Sequence, residues 1–307
     1  MASDQVVQVQ EKDVQLAILT DRPADIFAFL HEALVKGHHC ALVTLVEIID
    51  GASRSLGTHM AVCDDGRYCG FVSGGCVEAA VAREALHAIF EGTDRLCRFG
   101  KSSPYFDIAL PCGGGICLAI HVIRNVDIVV YVLDALARRR AVGLTYDSER
   151  QQLSAHDGAS PAGWHGGSFV TGYRPDPRIL LSGQGIESRT FASIASSSGI
   201  EIIHADAALV SSVVDEETAI VLLHHDVYRE LPVLRLALHT DAFYIGCLGS
   251  RRTHVHRRDL LQREGYAPEQ LDRIHAPIGL FGPAREARSV AVSVLAEILS
   301  YVELRRL

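Results

Sequence analysis

Arg178-Ile179-Leu180-Leu181-Ser182-Gly183-Gln184-Gly185-Ile186-Glu187-Ser188 passes from an apolar strand through a glycine turn into a helix. Its reading decides the fold of the second half. Arg178 to Leu181 is short, apolar and bounded by turn residues, as a buried strand requires. A helix follows from Ile186 to Ser198. Downstream the alternation continues, with strands at Glu201–His204, Ala219–Leu223 and Ala242–Cys247. Helices are expected at Leu231–Leu238, Arg251–Glu264 and Ala284–Glu303. Strands alternating with helices imply a parallel sheet covered on both faces.

The turn approximates G-x-G-x-x-G, in which a helix N-terminus and close backbone approach hold a pyrophosphate. Gly183 and Gly185 supply two glycines, and Asp206 closes the next strand about 20 residues on, where a ribose-binding acid sits. Two features depart from the pattern. Ser188 replaces the third small residue, and the Glu187 carboxylate competes with phosphate for the same amides. The reading is therefore either a nucleotide-type site or a Rossmann-like domain that kept only its turn. His225 and Asp226 lie beyond the end of a strand, where open α/β sheets bind ligands, or else cap the following turn. Arg251, Arg252, His254, His256, Arg257 and Arg258 form a basic cluster that is either a phosphate patch or a solvated helix face.

Working towards the N-terminus, 141–177 is rich in Gly, Ser, Asp and Pro and reads as irregular strands and a linker region between domains, holding the single Trp164. Before it, 14–140 reads as a mixed α/β domain; the Rossmann-like domain covers 178–307. Within the first domain, a helix is expected at Asp25–Lys36 and strands at Cys40–Ile49 and His59–Cys63, with a hairpin turn at Asp65-Gly66. Ser73-Gly74-Gly75-Cys76-Val77-Glu78 then enters a helix running to Glu91. A thiol at the mouth of a helix is a candidate reactive thiolate, although a free cysteine is often a small buried hydrophobe. Pro111-Cys112-Gly113-Gly114-Gly115 repeats the pairing of cysteine with an amide-rich loop before a strand at Ile116–Ile123, and a helix follows at Val130–Arg139. Gly100-Lys101-Ser102 imitates the end of a P-loop, but Arg95 stands where the first glycine is needed, which excludes that cradle.

The bulk properties narrow the function. The chain has 307 residues, 48% hydrophobic and 21% charged, and a net charge of −8. Such a balance argues against general affinity for nucleic acid or an anionic membrane. No secretory signal is expected, so the eight cysteines read as reduced thiols in a cytoplasmic protein rather than a disulfide framework. Their spacings, such as Cys63 to Cys69 and Cys112 to Cys117, match no zinc finger or ribbon.

Taken in order, the motifs resemble the xanthine dehydrogenase accessory factor (XdhC/CoxI) family. Arg54, Gly57 and Met60 precede the Ser73–Glu78 loop and Pro111-Cys112-Gly113-Gly114. Gly183-x-Gly185, His225-Asp226, Tyr244–Arg252 and His275–Leu280 follow, and Ala291, Ser293, Ala296 and Glu297 match the closing helix. Each motif alone is weak; their ordered series over roughly 16–301 is specific. The resemblance implies a chaperone that binds the molybdenum cofactor (molybdopterin), supports its sulfuration with a cysteine desulfurase, and delivers it to a molybdenum hydroxylase apo-enzyme. It points to a carrier without a catalytic group of its own. The cofactor-binding candidates are Arg54, Gly74, Gly75, Cys76, Glu78, Cys112, Gly113, Gly114, Gly183, Gly185, Asp206, His225, Asp226 and Arg251. Cys76 and Cys112 are candidate molybdenum contacts, because thiolates are soft donors. A homodimer is the default assembly.

Three departures from the family pattern stand out, two of them in the second half. Ile186 follows the Gly-x-Gly where the family has His, Glu286-Ala287-Arg288-Ser289 replaces its Thr-Pro-x-Glu, and Asp50 replaces the Gly opening the Arg54 loop. The N-terminal loops therefore keep the pattern better than the C-terminal turn. Two competing functions remain: an NAD(P)-dependent oxidoreductase built on Gly183, Gly185 and Asp206, and a structural adaptor whose partner binding needs neither Cys76 nor Cys112.

Overall fold

The computed structural model describes residues 13–101, 103, 113–204 and 207–306. The chain forms two compact units, Met1–Pro175 and Asp176–Leu307.

The first unit is built on a six-stranded sheet of β1 (Gln15–Ile18), β2 (Cys40–Ile49), β3 (His59–Cys63), β4 (Arg67–Gly70), β5 (Arg95–Gly100) and β6 (Gly115–Val122). The strand order is β1-β4-β3-β2-β6-β5, and every pair is antiparallel except β1 with β4. The continuous apolar run of β2 is explained by burial on both faces. Cys40, Leu42 and Val46 pack with Phe27 and Leu30 of the helix Pro23–Val35 and with Val129 and Val132 of the helix Val126–Ala137. Ala41, Val43 and Leu45 pack instead with Val81, Ala82 and Ala85 of the helix Glu78–Glu91.

The stretch read as irregular strands and a linker, 141–177, forms one regular sheet. It forms a four-stranded antiparallel sheet of β7 (Val142–Asp147), β8 (Gln152–Asp157), β9 (Gly163–His165) and β10 (Ser168–Tyr173), in the order β8-β7-β10-β9. Its composition misled because its glycines serve packing rather than flexibility. Gly143 and Gly172 are register partners; a side chain at Gly143 would enter the His156 ring, and one at Gly172 would lie 2.7 Å from Ala159 Cα. The alternation along β10 sends Phe169, Thr171 and Tyr173 inward, and Phe169 and Tyr173 join the core under the six-stranded sheet.

The second unit is a five-stranded parallel sheet of β11 (Arg178–Ser182), β12 (Glu201–His204), β13 (Thr218–Leu222), β14 (Tyr244–Cys247) and β15 (Ile274–His275). The order β12-β11-β13-β14-β15 steps outward on both sides of β11, as in a doubly wound fold. Leu180, Ile220, Leu222 and Ile245 face the helices Val227–Ala237 and Arg251–Arg263, while Ile179, Leu181, Val221 and Tyr244 face Ile186–Ser197 and Ala287–Arg306. The α/β class with a mixed first domain and a Rossmann-like parallel second domain is as the sequence reading expects. Among the described residues, no helix is long and apolar enough to cross a membrane.

The basic cluster does not act as one surface. Arg257 is fully buried: it pairs with Glu230 and donates to the Leu248 carbonyl at 2.9 Å. Arg258 pairs with Asp272 at 2.8 Å. Arg251 and Arg252 remain exposed. Neither a phosphate patch nor a solvated face describes the whole cluster, because helical geometry turns Arg257 into the core.

Candidate functional site

Antiparallel register brings three connections to one end of the six-stranded sheet. Thr44 pairs with His59, Met60 with Gly70, and Ile49 with Gly115. The end of β2, the start of β3, the end of β4 and the start of β6 therefore lie side by side. From that end emerge the loop carrying Arg54, the loop carrying Gly74-Gly75-Cys76, and Gly113-Gly114.

The Cys76 loop is tied from beneath. Ser73, Val77 and Glu78 are buried, whereas Gly74, Gly75 and Cys76 are exposed. The Glu78 carboxylate accepts from the amides of Ser73 (2.7 Å), Val72 (3.2 Å) and Val77 (3.2 Å). Ser73 Oγ lies 2.9 Å from each carboxylate oxygen and accepts from the Cys76 amide at 3.3 Å. Glu78 thus positions the loop and does not present its carboxylate to a ligand. Gly75 has φ +101°, and a side chain there would meet nothing within 4 Å. The rim of the loop is therefore open space, lined by backbone and one thiol.

The neighbouring loops close against it. Arg54 donates from Nε to the Ser73 carbonyl at 3.4 Å and pairs with Asp21 at 3.1 Å. A side chain at Gly74 would stand 3.6 Å from Ser53 Oγ. At Gly114 a Cβ would collide with the Gly51 carbonyl, so only glycine lets this segment approach the turn after β2. Asp50 occupies the left-handed region at φ 58° and pairs with Lys101. Asp21 had no signal in the sequence, since the Arg54 partner comes from the far side of the first helix in chain order. Cys112, like Pro111, lies outside the described residues, so the described share of the site is Arg54, Gly74, Gly75, Cys76, Glu78, Gly113 and Gly114.

Thiol accessibility separates the cysteines sharply. Cys40, Cys63, Cys69, Cys97, Cys117 and Cys247 are buried, and Cys76 is exposed. Burial pushes the Cys69 thiol up to about 12, and burial followed by the Glu84 charge does the same to Cys97. Among the described cysteines, Cys76 is the one exposed to solvent.

In the second unit, the loops following β11, β13, β14 and β15 share the carboxyl edge of the parallel sheet, where such folds bind ligands. Gly183 has φ +148°, and a side chain there would strike Ser188 Oγ and the Leu223 carbonyl. Gly185 caps the helix Ile186–Ser197, but the Glu187 carboxylate folds back to within 2.8 Å of where its Cβ would stand. Glu187 also pairs with His225 Nε2 at 3.3 Å. The space a phosphate would use is thus held by an anion. Asp226 accepts from the Tyr228 amide at 2.9 Å and caps the next helix. Ser182 Oγ meets His224 Nε2 at 3.0 Å, and burial lowers the His224 pKa. Arg251 opens an exposed helix turn whose Ser250 cap accepts from the Thr253 amide at 3.1 Å. Asp206 lies outside the described residues.

The motif at His275–Leu280 is strapped to the closing helix. Glu297 accepts from the Tyr244 hydroxyl at 2.5 Å and from the Gly279 amide at 2.6 Å. Ser293 Oγ donates to the Phe281 carbonyl at 2.7 Å and accepts from the Phe281 amide at 2.9 Å. These residues hold a loop at the carboxyl edge.

Residues 33–100 match the family described as XdhC and CoxI, and residues 179–298 match its XdhC Rossmann domain. The chain is also 46% identical over 286 residues to the molybdenum cofactor insertion chaperone PaoD of Escherichia coli (strain K12), covering 92% of this chain and 90% of that protein. The chain belongs to the XdhC and CoxI family. A second relative of this XdhC-family protein is a probable xanthine dehydrogenase subunit of Bacillus subtilis (strain 168), 24% identical over 327 residues and covering 89% of this chain and 96% of that one. Among solved structures, one described as a xanthine dehydrogenase from Bacillus halodurans shares the fold. Its TM-score is 0.70 at 18% identity, over 91% of this chain and 96% of that one. The XdhC and CoxI match covers the Cys76 loop, and the Rossmann match covers the turn that Glu187 occupies.

Proposed function

We propose that this chain binds the molybdenum cofactor as cargo, supports its sulfuration together with a cysteine desulfurase, and inserts it into the apo-form of a xanthine dehydrogenase-type molybdenum hydroxylase. The observation that carries the reading is the convergence of the exposed Gly74-Gly75-Cys76 rim, Arg54 and Gly113-Gly114 at one end of one sheet. A chain 46% identical to a molybdenum cofactor insertion chaperone supports it. The chemistry is matched: an amide-rich loop suits the cargo's anionic groups, a guanidinium suits its phosphate, and a thiolate is a soft donor for molybdenum or its sulfur. Cys112 serves as the second thiol. The protein works in the cytoplasm, as a homodimer, and turns nothing over itself.

The oxidoreductase reading has less support. Its pyrophosphate would have to displace the Glu187 carboxylate from the helix N-terminus that Gly185 caps.

The test is anaerobic purification in the presence of freshly released molybdenum cofactor, followed by molybdenum and pterin quantification. Stoichiometric retention is expected, with Cys76→Ala retaining less while folding normally. Unchanged retention in both Cys76→Ala and Cys112→Ala would remove the thiols from the mechanism. No retention by the wild type, with saturable NAD(H) binding in a parallel titration, would replace the reading with the oxidoreductase.

A further inference from the structure

At the opposite end of the six-stranded sheet from the Cys76 loop, the start of β2 and the end of β3 bring together side chains far apart in sequence. Cys40 is the register partner of Cys63. The Asp64 amide donates to the His39 carbonyl at 2.8 Å, just outside this pair, so Cys40 and Cys63 form a non-hydrogen-bonded pair, the kind whose side chains stand closest. Asp64 and His38 continue the two strands by one and two residues. His38 Nδ1 is 2.7 Å from Asp64 Oδ1, and Cys63 Sγ is 3.7 Å from the same oxygen. The imidazole, thiol and carboxylate donor atoms all lie within 4.8 Å of one another.

We propose that His38, Cys63 and Asp64 bind one borderline divalent cation of the zinc class at this end of the sheet, with solvent completing its coordination. A sulfur, a nitrogen and an oxygen donor at these separations suit a tetrahedral ion that accepts mixed ligands. Asp65 Oδ2 lies 3.8 Å from His38 Nε2, which leaves Nδ1 facing the other two donors. The His39 amide donates to Asp64 Oδ2 at 3.0 Å and fixes the carboxylate with its other oxygen towards the cluster. The three donors are graded in exposure: Cys63 is buried, while the side chains of His38 and Asp64 are 33% and 29% exposed, which gives an ion a way in. Binding displaces the Cys63 proton to solvent and changes no oxidation state.

The cluster stands apart from the cargo reading, and its test uses neither molybdenum nor pterin. The full-length protein is reduced, stripped with a chelator, desalted anaerobically and titrated with Co²⁺ alone, then with Zn²⁺. One tightly bound Co²⁺ with thiolate-to-cobalt charge-transfer absorption, displaced by Zn²⁺, is expected. The absorption should vanish in Cys63→Ser and persist in Cys76→Ser. Because Cys63 is buried, His38→Gln provides a second variant at a partly exposed position, and it should lose tight binding while keeping the wild-type melting temperature. Absorption that survives Cys63→Ser, or disappears in Cys76→Ser alone, overturns the proposal. So does the absence of any thiolate-dependent uptake by the wild type.

Discussion

The Glu78 carboxylate receives the Ser73 amide at 2.7 Å from beneath the exposed Gly74-Gly75-Cys76 rim. Both oxygens are committed to the loop, and each donor they receive faces an acceptor-only group. Glu78→Gln would turn an NH2 group towards one set of those donors. The variant should lose about 1–3 kcal/mol of stability, the range for leaving a buried donor unmatched. It should also retain less cofactor, while Cys76 stays as reactive to a small alkylating reagent as before. Urea unfolding and pterin quantification check the two halves; an unchanged midpoint would mean that the loop is held by other contacts.

Glu187 makes the second prediction. With its carboxylate beside Gly185 and paired to His225, Glu187 already places a negative charge near the helix N-terminus. Wild-type protein should show no saturable NADH binding in a fluorescence titration. Glu187→Ala should expose the amides and gain weak, salt-sensitive affinity for phosphate. Saturable NADH binding by the wild type would show that the carboxylate moves aside.

How far these sites could be read from sequence depends on which partner lies nearby in the chain. The Ser73–Glu78 loop is contiguous, so its glycines, thiol and acid are visible together, and the strand–helix alternation after Arg178 announces the parallel sheet. Arg257 shows the opposite case. It sits among exposed basic residues, and only the helix phase against Glu230, 27 positions earlier, puts it in the core. His38 and Cys63 are likewise joined by β2–β3 register, which spacing rules for zinc motifs do not sample. Over 142–173 the glycine content suggests irregular strands, although the alternation of Phe169, Thr171 and Tyr173 is the pattern of a regular one.

A buried histidine gives a pH prediction. His59 lies under the four-stranded sheet, between Thr44 Oγ1 at 3.0 Å and the Tyr173 hydroxyl. Burial lowers its pKa from 6.5 to about 4. The unfolded chain therefore binds the proton more readily, and this contribution to stability is complete above pH 6.5 and declines as the pH falls towards 4. The slope from this residue approaches about 1.4 kcal/mol per pH unit within that window. Urea midpoints measured at several pH values should fall more steeply for the wild type than for His59→Gln. Parallel profiles would show that His59 is not the titrating group.

The Arg257–Glu230 pair supplies the last prediction. Both side chains are fully buried, and among the described residues Glu230 Oε2 has no hydrogen-bond partner. Burial raises the Glu230 pKa against the opposing influence of Arg257. Removing the guanidinium leaves a carboxylate with nothing to offset its desolvation, so Arg257→Met should cost about 3–5 kcal/mol. Replacing both members by apolar residues removes the desolvation cost along with the attraction, so Arg257→Met combined with Glu230→Leu should be more stable than Arg257→Met alone. Arg257 also donates to the Leu248 carbonyl, just before Gly249-Ser250-Arg251. The double variant should therefore recover the unfolding midpoint but leave that carboxyl-edge loop more open to proteolysis, a difference that limited trypsin digestion would register at Arg251 and Arg252. Full protection of that loop in the double variant would show that the Ser250 cap alone holds it.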